Sequence, residues 1–250
     1  MELWQLALLA GAGLIAGFLN VMAGGGSLLT VPVMVFMGVP GPVANGTNRI
    51  AILAQNVAAV TAFFRRGHAD FRLSMSLAAC ALPGALAGAL LGVQLEGLWF
   101  NRVLALVMVG VLLVMALGGD RKREGDTEAP TRQQLVRGHL RMIGVGLYGG
   151  FIQLGVGFII MPVLHRVMGL DLVQTNMHKV FIVMTYTVVA LLVFATQVEI
   201  LWIAGLAMAV GNASGAWIAA HVQVENGESV INWVLNTVLV LFIIKLLFFP

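Results

Sequence analysis

Apolar positions run almost without interruption from Leu3 to Met22, stop at Gly24-Gly25-Gly26, resume from Ser27 to Gly38, and stop again at Val39-Pro40-Gly41-Pro42. At 1.5 Å per residue the first run is long enough to cross a hydrocarbon core of roughly 30 Å, whereas the second reaches only about 18 Å. The second is therefore a half-membrane or a re-entrant segment. Further runs near Val43–Phe64, Leu73–Val93 and Leu98–Leu117 are each long enough to span. Between them lie Arg65-Arg66-Gly67-His68-Ala69-Asp70-Phe71-Arg72 and the one long polar stretch, Asp120 to Arg141. The Gly, Thr, Pro and Gln content of the latter reads as a solvated linker. Two spans separate these basic stretches, so both fall on one side, the cytoplasmic one by the positive-inside bias.

The second half restates the first. Setting Pro162 against Pro32 gives an offset of 130 residues that also places Gly155 on Gly25, Asn176 on Gly46, His178 on Asn48 and Lys179 on Arg49. Gly211 and Gly215 answer Gly84 and Gly88 after a small gap, and Ile231-Asn232-Trp233-Val234-Leu235 echoes Phe100-Asn101-Arg102-Val103-Leu104. The pattern predicts an all-α polytopic integral membrane protein of two homologous halves. Each half has about four full transmembrane helices plus one short broken or re-entrant segment, 8–10 segments in all. Residues 1–118 are expected to form the first repeat, 119–140 a cytoplasmic linker and 141–250 the second repeat, within one transmembrane unit. If Ser27–Gly38 crosses, the halves are inverted; if it is re-entrant, they are parallel. Loop charge favours inversion, because Thr196–Ile200 lacks the basic residues of its counterpart Arg65–Arg72, and Val39–Val43 lacks those at His165 and Arg166.

Composition agrees with a membrane protein: 60% hydrophobic and only 10% charged residues, against about 25% charged in soluble domains. Thirty glycines suit closely approaching helices, and Gly84, Gly88 and Gly92 share one helix face. The net charge of +3 sits in short clusters between apolar runs, which argues against nucleic acid as a partner. Cys80 is the only cysteine, so an intrachain disulfide or a cysteine-cluster metal site is excluded. Met1-Glu2-Leu3-Trp4 supplies no basic region of a signal peptide, so the first run is expected to stay as a helix.

Arg49 is the first basic residue of the chain and lies inside an apolar run. Asn45, Asn48, Arg49, Ile52 and Asn56 follow helical spacing on one face, with Thr47 beside them and Gln55 at the border. The matching face holds Thr175, His178, Lys179, Ile182 and Tyr186, with Asn176 adjacent. Each half thus offers one cation and several hydrogen-bonding groups, the combination an oxyanion requires. Gly24, Gly25 and Gly26, with Gly155 and Gly157 opposite, allow backbone amides to face a ligand, and Ser27, Thr30, Asn20 and Gln153 add polar groups. The competing reading lets Arg49 and Lys179 snorkel to headgroups. No histidine pair has zinc-ligand spacing, and His178 beside Lys179 offers a protonatable neighbour for an anion.

Gly17-Phe18-Leu19-Asn20, Gly24-Gly25-Gly26-Ser27-Leu28-Leu29-Thr30-Val31-Pro32 and Ala44-Asn45-Gly46-Thr47-Asn48-Arg49 resemble the TauE/SafE family of sulfite-exporter-like permeases, and the resemblance runs from end to end. In the second half Asn176-Met177-His178-Lys179 keeps only the Asn and the Lys of that pattern. The resemblance implies a secondary transporter in a bacterial inner membrane for small anions such as sulfite, sulfonates or sulfoacetate. Arg49, in the better preserved copy, is expected to lead, with Lys179 second. The expected partners are a small anionic substrate, the lipid bilayer and, in one arrangement, a second copy as a homodimer. No cofactor and no enzymatic activity are expected. The rival readings are an anion channel, a structural membrane subunit and an intramembrane enzyme.

Overall fold

In a computed structural model, residues 2–23, 25–65, 70–117 and 130–221 are described. Gly24, residues 66–69 and 118–129, and everything from 222 onward, including the Ile231–Leu235 echo and Lys245, lie outside the described residues. Every regular element described is helical: α1 (Leu3–Ala23), α2 (Ser27–Phe36), α3 (Gly41–Arg65), α4 (Phe71–Gly92), α5 (Gly97–Leu117), α6 (Arg132–Phe151), α7 (Gly157–Pro162), α8 (Leu172–Gln197) and α9 (Trp202–His221). A π-helical turn, Val163–Val167, continues α7. By length and composition, α1 (Leu3–Asn20), α4 and α8 are apolar enough to cross a membrane; α2, α5, the α7 segment and α9 contribute shorter apolar stretches.

Helix boundaries follow from local chemistry. Thr131 starts α6 with a capping box to Gln134, and Asp171 starts α8 with one to Gln174. Asp70 caps α4 by accepting from the Leu73 amide. α6 therefore begins inside the polar stretch read as a linker, and Arg132, Arg137 and Arg141 ride on its first turns.

Contacts along the seams fix the relative directions of the helices. Gly13 meets Met208 and Gly17 meets Asn212, while Gly211 meets Ala10 and Gly215 meets Leu14, so α1 and α9 run parallel. Gly84 meets Ile143, Gly88 meets Leu147, Gly146 meets Ala81 and Gly150 meets Ala85, so α4 and α6 also run parallel. A Cβ at Gly84, Gly88 or Gly146 would lie 2.0 Å from a carbonyl oxygen of the facing helix, and only glycine permits that backbone approach. The glycine face expected on α4 is thus used for packing.

α3 and α8 cross at the centre in opposite directions. Gly46 lies against Phe194, whereas Ile52 and Asn56 share a cleft with Lys179 and Val183. α9 runs with α3, through Thr47 to Leu201 and Gly205 to Ile50. α4 runs with α8, through Ser74 to His178 and Gly92 to Phe194.

The short helices fold back. A Cβ on Gly26 would strike Ala16 and Asn20, so α2 returns along α1. Met168 packs on Gly138 and Gly169 lies beside Gln134, so the α7 segment returns along α6. The sequence had posed a re-entrant second segment in parallel halves or a crossing one in inverted halves; in the structure α2 folds back along α1, while α3 and α8 run in opposite directions. α1 ends short of α3: Asn20 near its end bonds Gln55, well before α3 ends at Arg65.

Candidate functional site

The tips of the two hairpins meet beside the α3–α8 crossing. Ser27, at the start of α2, places its hydroxyl within 3.5 Å of the Gln153 carbonyl, and the Leu28 side chain lies against Gly155. Gly155 adopts φ +63°, which lets the chain reverse between α6 and α7. Gln153 is the one non-glycine residue among those described with positive φ (59°). A long amide side chain in that conformation is held by tertiary partners rather than by propensity. Its Oε1 accepts from Arg49 Nη1 at 2.9 Å and its Nε2 donates to Thr187 Oγ1 at 3.0 Å.

Between the tips, α3 and α8 lies a small, partly open cleft. Asn20, Ser27, Asn56, Gln153 and Lys179 line it, over a floor of Ile52, Val156, Gly157 and Val183. Lys179 is its one charged lining residue, and Nζ is held at 2.8 Å by Asn176 Oδ1, one helical turn earlier. One ammonium, three amide side chains and a hydroxyl around a small cleft can bind an anion with hydrogen bonds from several directions. Along α3, Asn56 lies between Arg49 and Arg65; along α8, Lys179 lies between Asp171 and Tyr186. The cleft therefore sits nearer the molecular end that carries Arg65, Arg72, Arg132 and Arg166.

Arg49 occupies a different position from the one expected. It is completely buried, which excludes snorkelling, and it does not line the cleft. Its guanidinium donates to the Gly149 carbonyl at 3.1 Å, to the Gly150 carbonyl and to Gln153, and stacks 4.5 Å from the Phe194 ring. Those carbonyls are the unsatisfied end of α6, where a cation is favoured by both hydrogen bonding and the helix dipole. Arg49 thus caps a helix of the other half.

The remaining predicted residues divide between the cleft, the packing seams and the basic end. Asn48 Oδ1 accepts from Thr30 at 2.6 Å, Asn45 donates to the Phe151 carbonyl at 2.8 Å, and Thr47 accepts from the Leu201 amide at 3.1 Å. These tie α3 to its neighbours, and none of the three residues lines the cleft. Gly25 and Gly26 are buried, and Gly26 serves the close approach to α1. His178 points away from the cleft and bonds Ser74 at 2.8 Å. Gln153, Thr187 and Gln55 take part more centrally than sequence reasoning placed them. The one available signal for Gln153 was a polar residue inside a glycine-rich break.

Residues 9–246 match the family described as Sulfite exporter TauE/SafE. The chain belongs to that family. Its relatives include a probable membrane transporter protein, ORF9, of Sinorhizobium sp, 28% identical over 98% of this chain and 93% of the relative. A probable membrane transporter protein of Haemophilus influenzae is 26% identical over 90% of this chain and 88% of its own length. The Escherichia coli K12 protein YfcA, also a probable membrane transporter, is 25% identical over 97% of this chain and 90% of its own length. No solved structure matches the chain. A TauE/SafE protein with apolar helices of membrane-crossing length is a multi-pass membrane transporter. Among the described residues, no group of three His, Cys, Asp or Glu side chains is placed to hold a metal ion.

Proposed function

We propose that the protein is a secondary transporter, an exporter or permease, of small sulfur-containing oxyanions or organosulfonates such as sulfite or sulfoacetate, in a bacterial inner membrane. Transport proceeds by alternating access between two inverted repeats. The observation that carries the reading is the cleft at the meeting of the two hairpin tips, with Lys179 its only charge and Asn20, Asn56 and Gln153 its hydrogen-bonding walls. Inversion is supported by matched helices running in opposite directions, α3 against α8, and by matched seams, α1 on α9 and α6 on α4. The sulfite class is supported by the family description. Carriage by binding at the centre of two opposed broken helices is how inverted-repeat transporters admit a substrate from one side at a time.

The test is counterflow in proteoliposomes preloaded with sulfite or sulfoacetate, comparing wild type with Lys179→Gln. Saturable exchange is expected, with affinity lowered about tenfold or more in the variant, the effect of losing one charge-assisted contact. Flux that neither saturates nor shows counterflow identifies a channel, and full activity in Lys179→Gln removes the cleft from the pathway.

A further inference from the structure

We propose that Arg49 and Tyr186 form a second, closed anion half-site, the counterpart of the Lys179 cleft on the opposite side of the α3–α8 crossing, and that Gln153 helps hold it shut. The inference rests on the inverted-repeat carrier reading.

The same 130-residue offset that matches Lys179 with Arg49 matches Asn56 with Tyr186 and Asn20 with Gly150. Lys179, Asn56 and Asn20 line the open cleft. Their counterparts are also gathered in space: Arg49 donates to the Gly150 carbonyl, and a Cβ on the preceding Gly149 would lie 2.7 Å from the Tyr186 hydroxyl oxygen. Along α3 and α8 both Arg49 and Tyr186 lie farther from the basic end than the cleft residues.

Two features mark this cluster as more than packing. Arg49 and Tyr186 are completely buried, yet Arg49 Nε and the Tyr186 hydroxyl have no hydrogen-bond partner among the described residues. Two unpaired donors at such depth are costly unless another state of the molecule uses them. The second feature is the difference between the two cations. Among the described residues Lys179 bonds Asn176 of its own helix, and it lines the cleft while being largely buried. Arg49 reaches across to the end of α6 and draws that hairpin tip onto α3.

Gln153 belongs to both sites. It lines the cleft, where its backbone carbonyl meets Ser27, and its side-chain Oε1 accepts from Arg49. An anion can accept only from Gln153 Nε2, which now donates to Thr187, and turning that end of the amide into the cleft carries Oε1 away from Arg49, so occupancy of the cleft weakens the latch on the closed side. When the latch opens, Arg49 Nε and Tyr186 OH become the donors of the opposite-facing site. By the same offset, Leu19 and Asn20 correspond to Gly149 and Gly150, so the end of α1 then becomes the place where Lys179 docks.

The test measures thiol reactivity of purified protein carrying Cys80→Ser and one reporter, Asn56→Cys for the open cleft or Tyr186→Cys for the closed site. Gln153→Ala and Arg49→Lys are each introduced into both reporters. Gln153→Ala leaves Arg49 on the α6 carbonyls, so it probes the latch in a protein whose helix end is still capped. In the parent the Asn56→Cys reporter, at a cleft-lining position that is 4% exposed, is expected to react faster than the Tyr186→Cys reporter, at a fully buried one. Weakening the latch should raise the rate at position 186 about tenfold and lower it at position 56, as loss of one hydrogen bond to a charged group shifts a two-state equilibrium. Rates that rise together indicate general loosening and overturn the proposal. Unchanged rates in protein that still exchanges sulfite or sulfoacetate overturn it as well and leave the carrier reading standing. Wild-type protein that exchanges no anion overturns the carrier reading itself.

Discussion

Lys179 and Arg49 occupy matching positions in sequence, yet their partners give them different work. Arg49 satisfies carbonyls at a helix end that nothing else in its surroundings reaches, so its loss leaves buried acceptors unpaired. Lys179 faces a cleft, and its loss leaves a roomier cleft. Arg49→Ala is therefore expected to cost about 3 kcal/mol or more, the penalty for several stranded polar groups, and to lower the unfolding midpoint in detergent. Lys179→Ala should leave that midpoint nearly unchanged while abolishing saturable anion exchange. Equal losses of stability in the two variants would contradict this division. The division was not legible from sequence, where both residues read as a cation inside an apolar helix. What separates them is the distance to the end of α6, and no spacing along α3 encodes it.

At the scale of elements, periodicity and punctuation carried most of the information. The triple glycine, the prolines and the short run after them marked the broken hairpin, and the Gly84–Gly88–Gly92 face marked a packing seam. Periodicity could not say that α1 stops level with Gln55, because a run of membrane-crossing length does not reveal its tilt or depth. The start of α6 was likewise hidden in a polar stretch, since the capping box at Thr131 and Gln134 uses residues that also compose loops. The α4–α6 seam makes a prediction that one helix can test against itself. A Cβ at Gly146 would lie 2.0 Å from the Ala81 carbonyl oxygen, whereas Gly144 has nothing within 4 Å. Gly146→Ala should destabilise by about 2 kcal/mol or more through forced separation of the helices. Gly144→Ala should be neutral or stabilise by up to about 1 kcal/mol through helix propensity. Unfolding midpoints that move alike would show that the seam is not close-packed.

At the scale of the molecule, charge sorts by end. Arg65, Arg72, Arg132, Arg137, Arg141 and Arg166 gather where α3 ends and α4, α6 and α8 begin, whereas the opposite turns present Gln94, Glu96 and Glu199, with Arg102 the lone described base nearby. The positive-inside bias predicts that the first end faces the cytoplasm. Cysteines introduced at the exposed positions Asp70 and Thr131 should be shielded from impermeant reagents in intact cells, and those at Gln94 and Glu199 labelled. The reverse pattern would turn the molecule over and with it the side on which the Lys179 cleft lies.

The glycine seams have a mechanical consequence. α1 is pressed backbone to backbone against α9, and α6 against α4, so each hairpin adheres to a helix from the opposite half of the chain. Surfaces in such contact slide poorly, because any shift drives carbonyls into Cα atoms. In the proposed alternating-access carrier, the bodies that move past one another are α1–α2 with α9 and α6–α7 with α4, hinged about the α3–α8 crossing. In the proposed carrier the moving parts therefore do not coincide with the two proposed repeats but are composites of both.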